Sequence, residues 1–123
     1  AYAVPRLLER AGLALPDFDF YEIHEAFAAQ VLCTLAAWED EEYCRTQLGL
    51  DGPFGSIERS RMNLNGGSLA TGHPFAATGG RIVGTLAKML AMLAQASGEA
   101  RTRRGLISIC AAGGQGVVAI LER

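Results

Sequence analysis

The length, composition and charge of the chain exclude several classes of protein. It has 123 residues, of which 50% are hydrophobic and 20% charged, so it forms one domain or part of one, and a disordered chain is excluded. Eleven basic residues against thirteen acidic ones give a net charge of −2, which provides no excess of positive charge to attract nucleic acid. We therefore expect a globular domain that does not bind nucleic acid.

The three cysteines and two histidines show neither a C-x-x-C spacing nor an even cysteine count. This pattern predicts neither a disulfide framework nor a metal site, and it is typical of a reducing compartment, so we expect a cytoplasmic location. The chain begins at Ala1 without Met and has no basic or apolar leader, from which we expect no signal peptide and a piece of a longer protein.

The first half of the chain alternates helical and extended patterns, separated by turn residues. Pro5 suits the first turn of the opening helix and Gly12 suits its end. The predicted segments are a helix over 4–12, a strand over 18–23, a helix over 25–38, a solvated acidic cluster at 39–42, a loop over 50–61 and a tight turn at 65–67.

The segment from Phe75 to Ala94 carries only two charges, and apolar residues cover most of its circumference. Such a pattern predicts a helix packed between two layers. Its length also matches a membrane span, but Arg81, Lys88 and three glycines would make that environment costly. We therefore expect burial within a protein and no transmembrane span.

The chain ends in two predicted strands, 106–110 and 117–121, joined by a glycine-rich turn into a hairpin. The order of elements predicts an α/β fold in which one sheet carries helices on both faces. Gly114-x-Gly116-x-x-Ala119 matches part of a dinucleotide-binding fingerprint, but a strand follows it where that motif needs a helix. A nucleotide site is therefore excluded.

Three side chains that can carry chemistry lie at ends of elements, where sites gather in α/β proteins. His73 precedes the buried helix, with Pro74 suited to the first helical position, so helix amides would keep its imidazole neutral and able to act as a base. Cys110 enters a turn whose amides would lower the pKa of its thiol. His24 lies between a strand and a helix.

Each of these residues also has an interpretation without chemistry. His73 and His24 would then be capping residues, and Cys110 would be a buried, inert thiol. Cys33 lies in the middle of a predicted helix and Cys44 beside the acidic cluster, so we expect both to be structural.

Three motifs, HEAFAAQ (24–30), NLNGGSLATGHPFAATGGR (63–81) and CAAGGQG (110–116), resemble in order and spacing the carboxy-terminal half of thiolases. HEAF, GHPFAAT and CAAGG look most like the 3-ketoacyl-CoA thiolase subunits of fatty-acid oxidation trifunctional complexes. The resemblance covers nearly the whole chain and implies that residues 1–123 form a thiolase carboxy-terminal domain. The implied fold is a mixed sheet covered by helices, one layer of the αβαβα sandwich.

The resemblance also implies roles for particular residues. His73 would take the proton from a nucleophilic cysteine and help to bind the thioester oxygen, Cys110 would be the general acid/base, and His24 would hold an oxyanion-hole water. The oxyanion hole would also use backbone at Ala112 and Gly113, although many thiolases have Gly at the position of Ala112.

In thiolases the nucleophilic cysteine and most coenzyme A contacts lie in the amino-terminal half, which has no counterpart here. The resemblance further implies a strand upstream of the opening helix, which this chain would lack. The implied partners are an acyl-CoA substrate, the amino-terminal half, a second copy in a homo-oligomer and a hydratase/dehydrogenase subunit. Coenzyme A would be a substrate, with no covalently bound cofactor.

Two alternatives to part of a thiolase remain open from the sequence. In the first, Cys110 is itself the nucleophile and His73 its base, as in a hydrolase or acyltransferase. In the second, the chain is a non-catalytic domain that binds acyl-CoA or docks a subunit.

Overall fold

The computed structural model describes residues 1–123 and contains a three-stranded mixed sheet in the order β1-β2-β3. Strand β1 (Phe20–Ile23) runs parallel to β2 (Arg104–Ala111), which forms an antiparallel hairpin with β3 (Gln115–Glu122). The helices are α1 (Ala3–Ala11), α2 (Ala28–Glu39), α3 (Glu41–Tyr43), α4 (Ser68–Thr71) and α5 (Thr78–Ser97), with a π-helical turn at Cys44–Leu48 and 3₁₀ turns at Leu15–Asp17 and Arg59–Arg61.

One face of the sheet packs against α1 and α2. Alternate residues of each strand point to this side, as the period of two in a strand requires. Trp38 of α2 is fully buried, and its indole Nε1 donates to the carbonyl oxygen of Ala1 at 2.9 Å. The buried apolar residues of this core are Val4, Leu8, Leu15, Phe18, Tyr21, Ile23, Val31, Leu35, Trp38, Ile57 and Leu106.

The opposite face of the sheet packs against α5. This second core is smaller and consists of Ile82, Leu86, Leu90 and Ile107. The helix is therefore buried along one stripe, whereas Val83 and Met92 on its other sides are 45% and 59% exposed. The prediction that this helix is buried all round is wrong for this chain, because the sheet covers one side of it and no other layer covers the rest.

The predicted α/β fold, with a sheet between helices, is confirmed, as are the opening helix and the closing hairpin. Gly12 ends α1 at φ 65°, a left-handed conformation that favours glycine. Helix α2 begins at Ala28, three residues later than predicted, because Phe27 before it is still extended, at φ −146°. No helix of the structure combines the length and the hydropathy needed to cross a bilayer.

Candidate functional site

The carboxyl ends of the parallel strands β1 and β2 bring two predicted site residues to one cavity. His24 directly follows β1, and Cys110 is the penultimate residue of β2. Both line a cavity of roughly 290 Å³, together with Gln30 and Thr34 of α2. The parallel pairing explains this meeting, because parallel strands end at the same edge of a sheet.

His24 is a buried histidine, only 2% exposed, rather than the helix cap that the sequence left open. Its backbone N–H donates to the carbonyl oxygen of Ser108 at 2.9 Å, which extends the β1–β2 pairing by one residue. Its ring Nδ1 lies 2.8 Å from the hydroxyl oxygen of Ser68. Burial lowers the pKa of His24, and the neighbouring His73 and Arg81 lower it further. The ring is therefore held in its neutral form.

His73 lies against His24, with the ring centroids 4.2 Å apart and the planes inclined by 52°. The predicted start of α5 at Pro74 is wrong, because residues 74–77 form a turn in which the Pro74 carbonyl accepts from the backbone N–H groups of Ala77 and Thr78. His73 is thus five residues ahead of the helix and not at its amino end. Its Nδ1 instead lies 2.7 Å from the Thr78 hydroxyl oxygen.

The thiol of Cys110 contacts a side chain that sequence reasoning missed. Its Sγ donates to the amide Oε1 of Gln30 at 3.5 Å. The Thr34 hydroxyl donates to the Gln30 backbone carbonyl at 3.0 Å and accepts from Gln30 Nε2 at 3.1 Å, which orients the amide with its oxygen toward the thiol. The sequence predicted that backbone amides of the turn surround this sulfur, but its hydrogen bond is to the Gln30 side chain. The sequence feature that indicates a role for Gln30 is its position in the motif HEAFAAQ, which also contains His24.

The loop that carries Asn63 ties the end of β1 in place. The Asn63 side chain accepts from the Ile23 N–H at 2.8 Å and donates to the Ile23 carbonyl at 2.9 Å and to Glu25 Oε1 at 3.0 Å. Asn63 adopts φ 50°, and a Cβ at Gly67 would collide with the Glu25 carboxylate. The asparagine and glycines of NLNGG therefore shape the support beneath His24.

The buried carboxyl group of Glu22 and the half-buried guanidinium of Arg81 lie near the histidines. Glu22 of β1 is 2% exposed, its Oε1 has no hydrogen-bond partner, and burial raises the pKa of its carboxyl group. Arg81 of α5 offsets part of this rise by its positive charge. Its guanidinium Nη2 donates to the Ser68 hydroxyl oxygen at 3.1 Å, so a charged side chain supports the serine that contacts His24.

The remaining predicted residues lie elsewhere. Ala112 and Gly113 are in the exposed turn of the hairpin, outside the cavity lining, so their backbone role stays a prediction. All three cysteines are free: Cys33 is exposed on α2, whereas Cys44 is buried, with its thiol 3.4 Å from the carbonyl oxygens of Ala37 and Trp38. No group of three His, Cys, Asp or Glu side chains is placed to hold a metal ion.

Comparison with known proteins matches the chain to one family. The family model described as "Thiolase, C-terminal domain" matches residues 1–123. The chain is 44% identical over 122 residues to a probable 3-ketoacyl-CoA thiolase of Caenorhabditis elegans and 45% identical over 125 residues to a 3-ketoacyl-CoA thiolase of Pectobacterium atrosepticum. Each alignment covers 99% of this chain and 26% of the relative, so the chain spans about a quarter of the length of these proteins.

Solved structures show the same similarity. The dimeric peroxisomal thiolase of Saccharomyces cerevisiae matches with a TM-score of 0.66 and 36% identity, over 97% of this chain and 24% of that protein. An acetyl-CoA acetyltransferase from Syntrophomonas wolfei matches with a TM-score of 0.66 and 30% identity, over 96% of this chain and 25% of that protein.

Proposed function

The chain belongs to the thiolase family and corresponds to the carboxy-terminal domain of a thiolase. We propose on this basis that it is part of an acyltransferase that moves an acyl group between coenzyme A and acetyl-CoA. The reaction is the thiolytic cleavage of 3-ketoacyl-CoA or its reverse, a Claisen condensation. The supporting observation is the junction of the three motifs, where His24 and Cys110 line one cavity and the His73 ring lies against His24.

The proposed reaction begins with a cysteine that the amino-terminal half supplies. Its thiol gives its proton to His73, and the thiolate attacks the 3-keto carbon, whose oxygen gains negative charge. The bond between carbons 2 and 3 then breaks and leaves the acyl group on that cysteine. The departing acetyl-CoA enolate takes a proton on carbon from the thiol of Cys110, which contacts Gln30.

The second half of the proposed cycle reverses these proton transfers. Coenzyme A gives its thiol proton to the Cys110 thiolate and attacks the acyl thioester. Acyl-CoA leaves, and the released cysteine thiolate regains its proton from His73. His24 and a water that it holds stabilise the oxyanion at each addition, with backbone at Ala112 and Gly113 as a second donor set.

Several further features of this function are proposals of the same kind. The names of the relatives support 3-ketoacyl-CoA as the substrate and fatty-acid oxidation as the setting, and the dimeric yeast thiolase supports a homo-oligomer. The HEAF motif supports a trifunctional-type complex with a hydratase/dehydrogenase subunit. Three free cysteines support a reducing compartment such as the cytoplasm. The amino-terminal half and an additional first strand would complete the enzyme.

The geometry favours this reaction over the alternative in which Cys110 is the nucleophile. Its Sγ hydrogen-bonds to Gln30 and to neither histidine, so neither His73 nor His24 is positioned to take its proton.

The test is thiolysis of a 3-ketoacyl-CoA by the full-length protein, with acylation of the nucleophile followed separately by mass spectrometry. We expect His73→Ala to lower turnover by about 10⁴-fold or more, because a base and an oxyanion donor are lost together. Cys110→Ser should lower turnover by about 10²- to 10⁴-fold while acylation survives. His24→Ala should be milder, about 10- to 100-fold, because its contribution passes through a water.

Cys33→Ser is the matched control, since it makes the same chemical change at an exposed cysteine of α2 and should leave turnover unchanged. Near-normal turnover of Cys110→Ser would reject its acid/base role. Acylation of Cys110 itself, protected by substrate, would establish the alternative nucleophile. Binding of acyl-CoA without any turnover would support the non-catalytic domain.

A further inference from the structure

We propose that Thr78 and Ser68 hold the two histidines in opposite neutral tautomers, with the proton of His73 on Nδ1 and that of His24 on Nε2. The inference deepens the proposed function and rests on it for its catalytic meaning. It concerns two residues outside the acid/base set, which act as positioning residues. The evidence is the hydrogen-bonding capacity of the groups that contact each hydroxyl.

The tautomer of His73 follows from a carbonyl group, which can only accept a hydrogen bond. The Thr78 hydroxyl oxygen lies 3.1 Å from the Pro74 carbonyl oxygen, so the single hydroxyl proton is donated there. The same oxygen lies 2.7 Å from His73 Nδ1 and has only lone pairs left, so Nδ1–H must be the donor. Nε2 of His73 then carries the lone pair, as a base requires.

The tautomer of His24 follows from a guanidinium group, which can only donate. Arg81 Nη2 donates to the Ser68 hydroxyl oxygen at 3.1 Å and occupies a lone pair. The hydroxyl proton then has one partner within reach, His24 Nδ1 at 2.8 Å, which must accept it. Nε2 of His24 therefore carries the proton.

Together, the two contacts assign an acceptor Nε2 to His73 and a donor Nε2 to His24, on rings whose centroids are 4.2 Å apart. A thiol that must lose a proton and a carbonyl oxygen that gains negative charge need these two functions at the same time. The low pKa of His24, caused first by its burial, keeps its ring neutral, so that its donor nitrogen is set by Ser68 rather than by protonation.

The experiment measures the tautomers directly, by nitrogen NMR of the full-length protein labelled with ¹⁵N-histidine, at a pH where both rings are neutral. Protonated and unprotonated ring nitrogens have different chemical shifts, and His24→Asn and His73→Asn variants assign the signals. The variants are Thr78→Val, which keeps the shape and removes the hydroxyl, and Thr78→Ser, which restores it. Thr71→Val is the matched control, because the Thr71 hydroxyl also donates to the carbonyl four residues earlier, at Gly67, without contacting a histidine.

We expect protonated Nδ1 at His73 and protonated Nε2 at His24 in the unmodified protein. Thr78→Val should move His73 toward the other tautomer and lower kcat by about 10- to 100-fold, part of what a general base contributes. Thr78→Ser should restore both measurements, and Thr71→Val should change neither. The same tautomer at both histidines, or an unchanged His73 signal in Thr78→Val, would overturn the inference. Opposite tautomers in a protein without thiolase activity would instead reject the proposed function alone.

Discussion

The two faces of the sheet differ in how completely this chain covers them. The face toward α1 and α2 buries eleven hydrophobic residues in one cluster, with partly buried side chains packed around it. The face toward α5 buries four. An apolar groove of about 700 Å³ remains open between α5 and the loop at residues 64–65, and Phe20, Met89, Met92 and Leu93 are among its lining residues. Helices of this chain cover the first face, whereas they cover the second face only in part.

The two faces also differ in chemistry. The face toward α5 carries the buried Glu22 and the polar residues Thr78 and Arg81 that lie near the histidines. The other buried charged side chain, Arg103, contacts Ser97 at the end of α5, so neither buried charge lies in the opposite core. Most of the apolar burial of the domain thus lies on one side of the sheet, and the support for its candidate base and oxyanion donor lies on the other.

The largest expected effect is in the core beside α1 and α2. Trp38→Ala should lower the free energy of unfolding by about 3–5 kcal/mol, because it removes a fully buried aromatic side chain and leaves a cavity. Urea unfolding of the protein measures this difference. Leu32→Ala on the exposed side of the same helix is the control and should change stability by less than about 1 kcal/mol. A loss below about 1 kcal/mol for Trp38→Ala would contradict the importance of this core.

The next effect is at the contact between α5 and the sheet. A Cβ on Gly105 would come within 2.5 Å of Leu86 Cδ1, so Leu86 occupies the space that a side chain on β2 would need. Gly105→Ala should destabilise the protein by about 1–3 kcal/mol through overpacking. Gly79→Ala, within α5 but facing open space, is the control and should be neutral or slightly stabilising. Equal stabilities of the two variants would show that α5 shifts freely on the sheet.

A pH effect follows from Glu22. Burial raises the pKa of this carboxyl above its ordinary value of 4.5, so the folded protein retains a proton that the unfolded chain releases. The contribution of Glu22 to stability therefore falls as the pH rises from about 4.5 to the folded pKa and then stays constant. Unfolding free energies of the unmodified protein and Glu22→Gln, compared across this range, should show the decline only in the former. Parallel profiles would reject a raised pKa.

The smallest expected effect on folding is in the open groove. Leu64 and Met92 are 49% and 59% exposed, so Leu64→Ser/Met92→Ser should change the stability of the isolated chain by about 0.5 kcal/mol or less at each site. It should nevertheless weaken self-association, because the exposed apolar surface of the groove drives it. Sedimentation and binding of a hydrophobic dye measure this effect. Leu32→Ser on α2, 46% exposed, makes the same change outside the groove and should have no effect on either measurement. A monomeric isolated chain without dye binding would contradict the prediction.

The sequence predicts the features that depend on neighbouring residues. Gly12 ends α1 because only the local backbone conformation is involved, and the hairpin follows from two apolar strands around glycines. The sequence also places His24 and Cys110 at ends of elements, and the parallel pairing of β1 with β2, which it does not predict, brings them to one edge.

Other features are not visible in the residue patterns of the sequence. Gln30 meets Cys110 across 80 residues of sequence, and no local pattern records this pairing. The start of α5 at Thr78 depends on a turn that the Pro74 carbonyl closes. Periodicity shows which surfaces of α5 favour burial, and it does not reveal whether this chain provides a layer to cover each of them.

The Asn63 side chain has a consequence for the behaviour of the domain at high concentration. Strand β1 is one of the two edges of the sheet, and an open edge can pair with a strand of another molecule. The backbone N–H of Asn63 donates to the Tyr21 carbonyl, and its side-chain amide bonds to both the N–H and the carbonyl of Ile23, in place of a peptide group from a fourth strand. The backbone and side chain of one residue, Asn63, therefore block the β1 edge as a template on which an intermolecular β-sheet would grow.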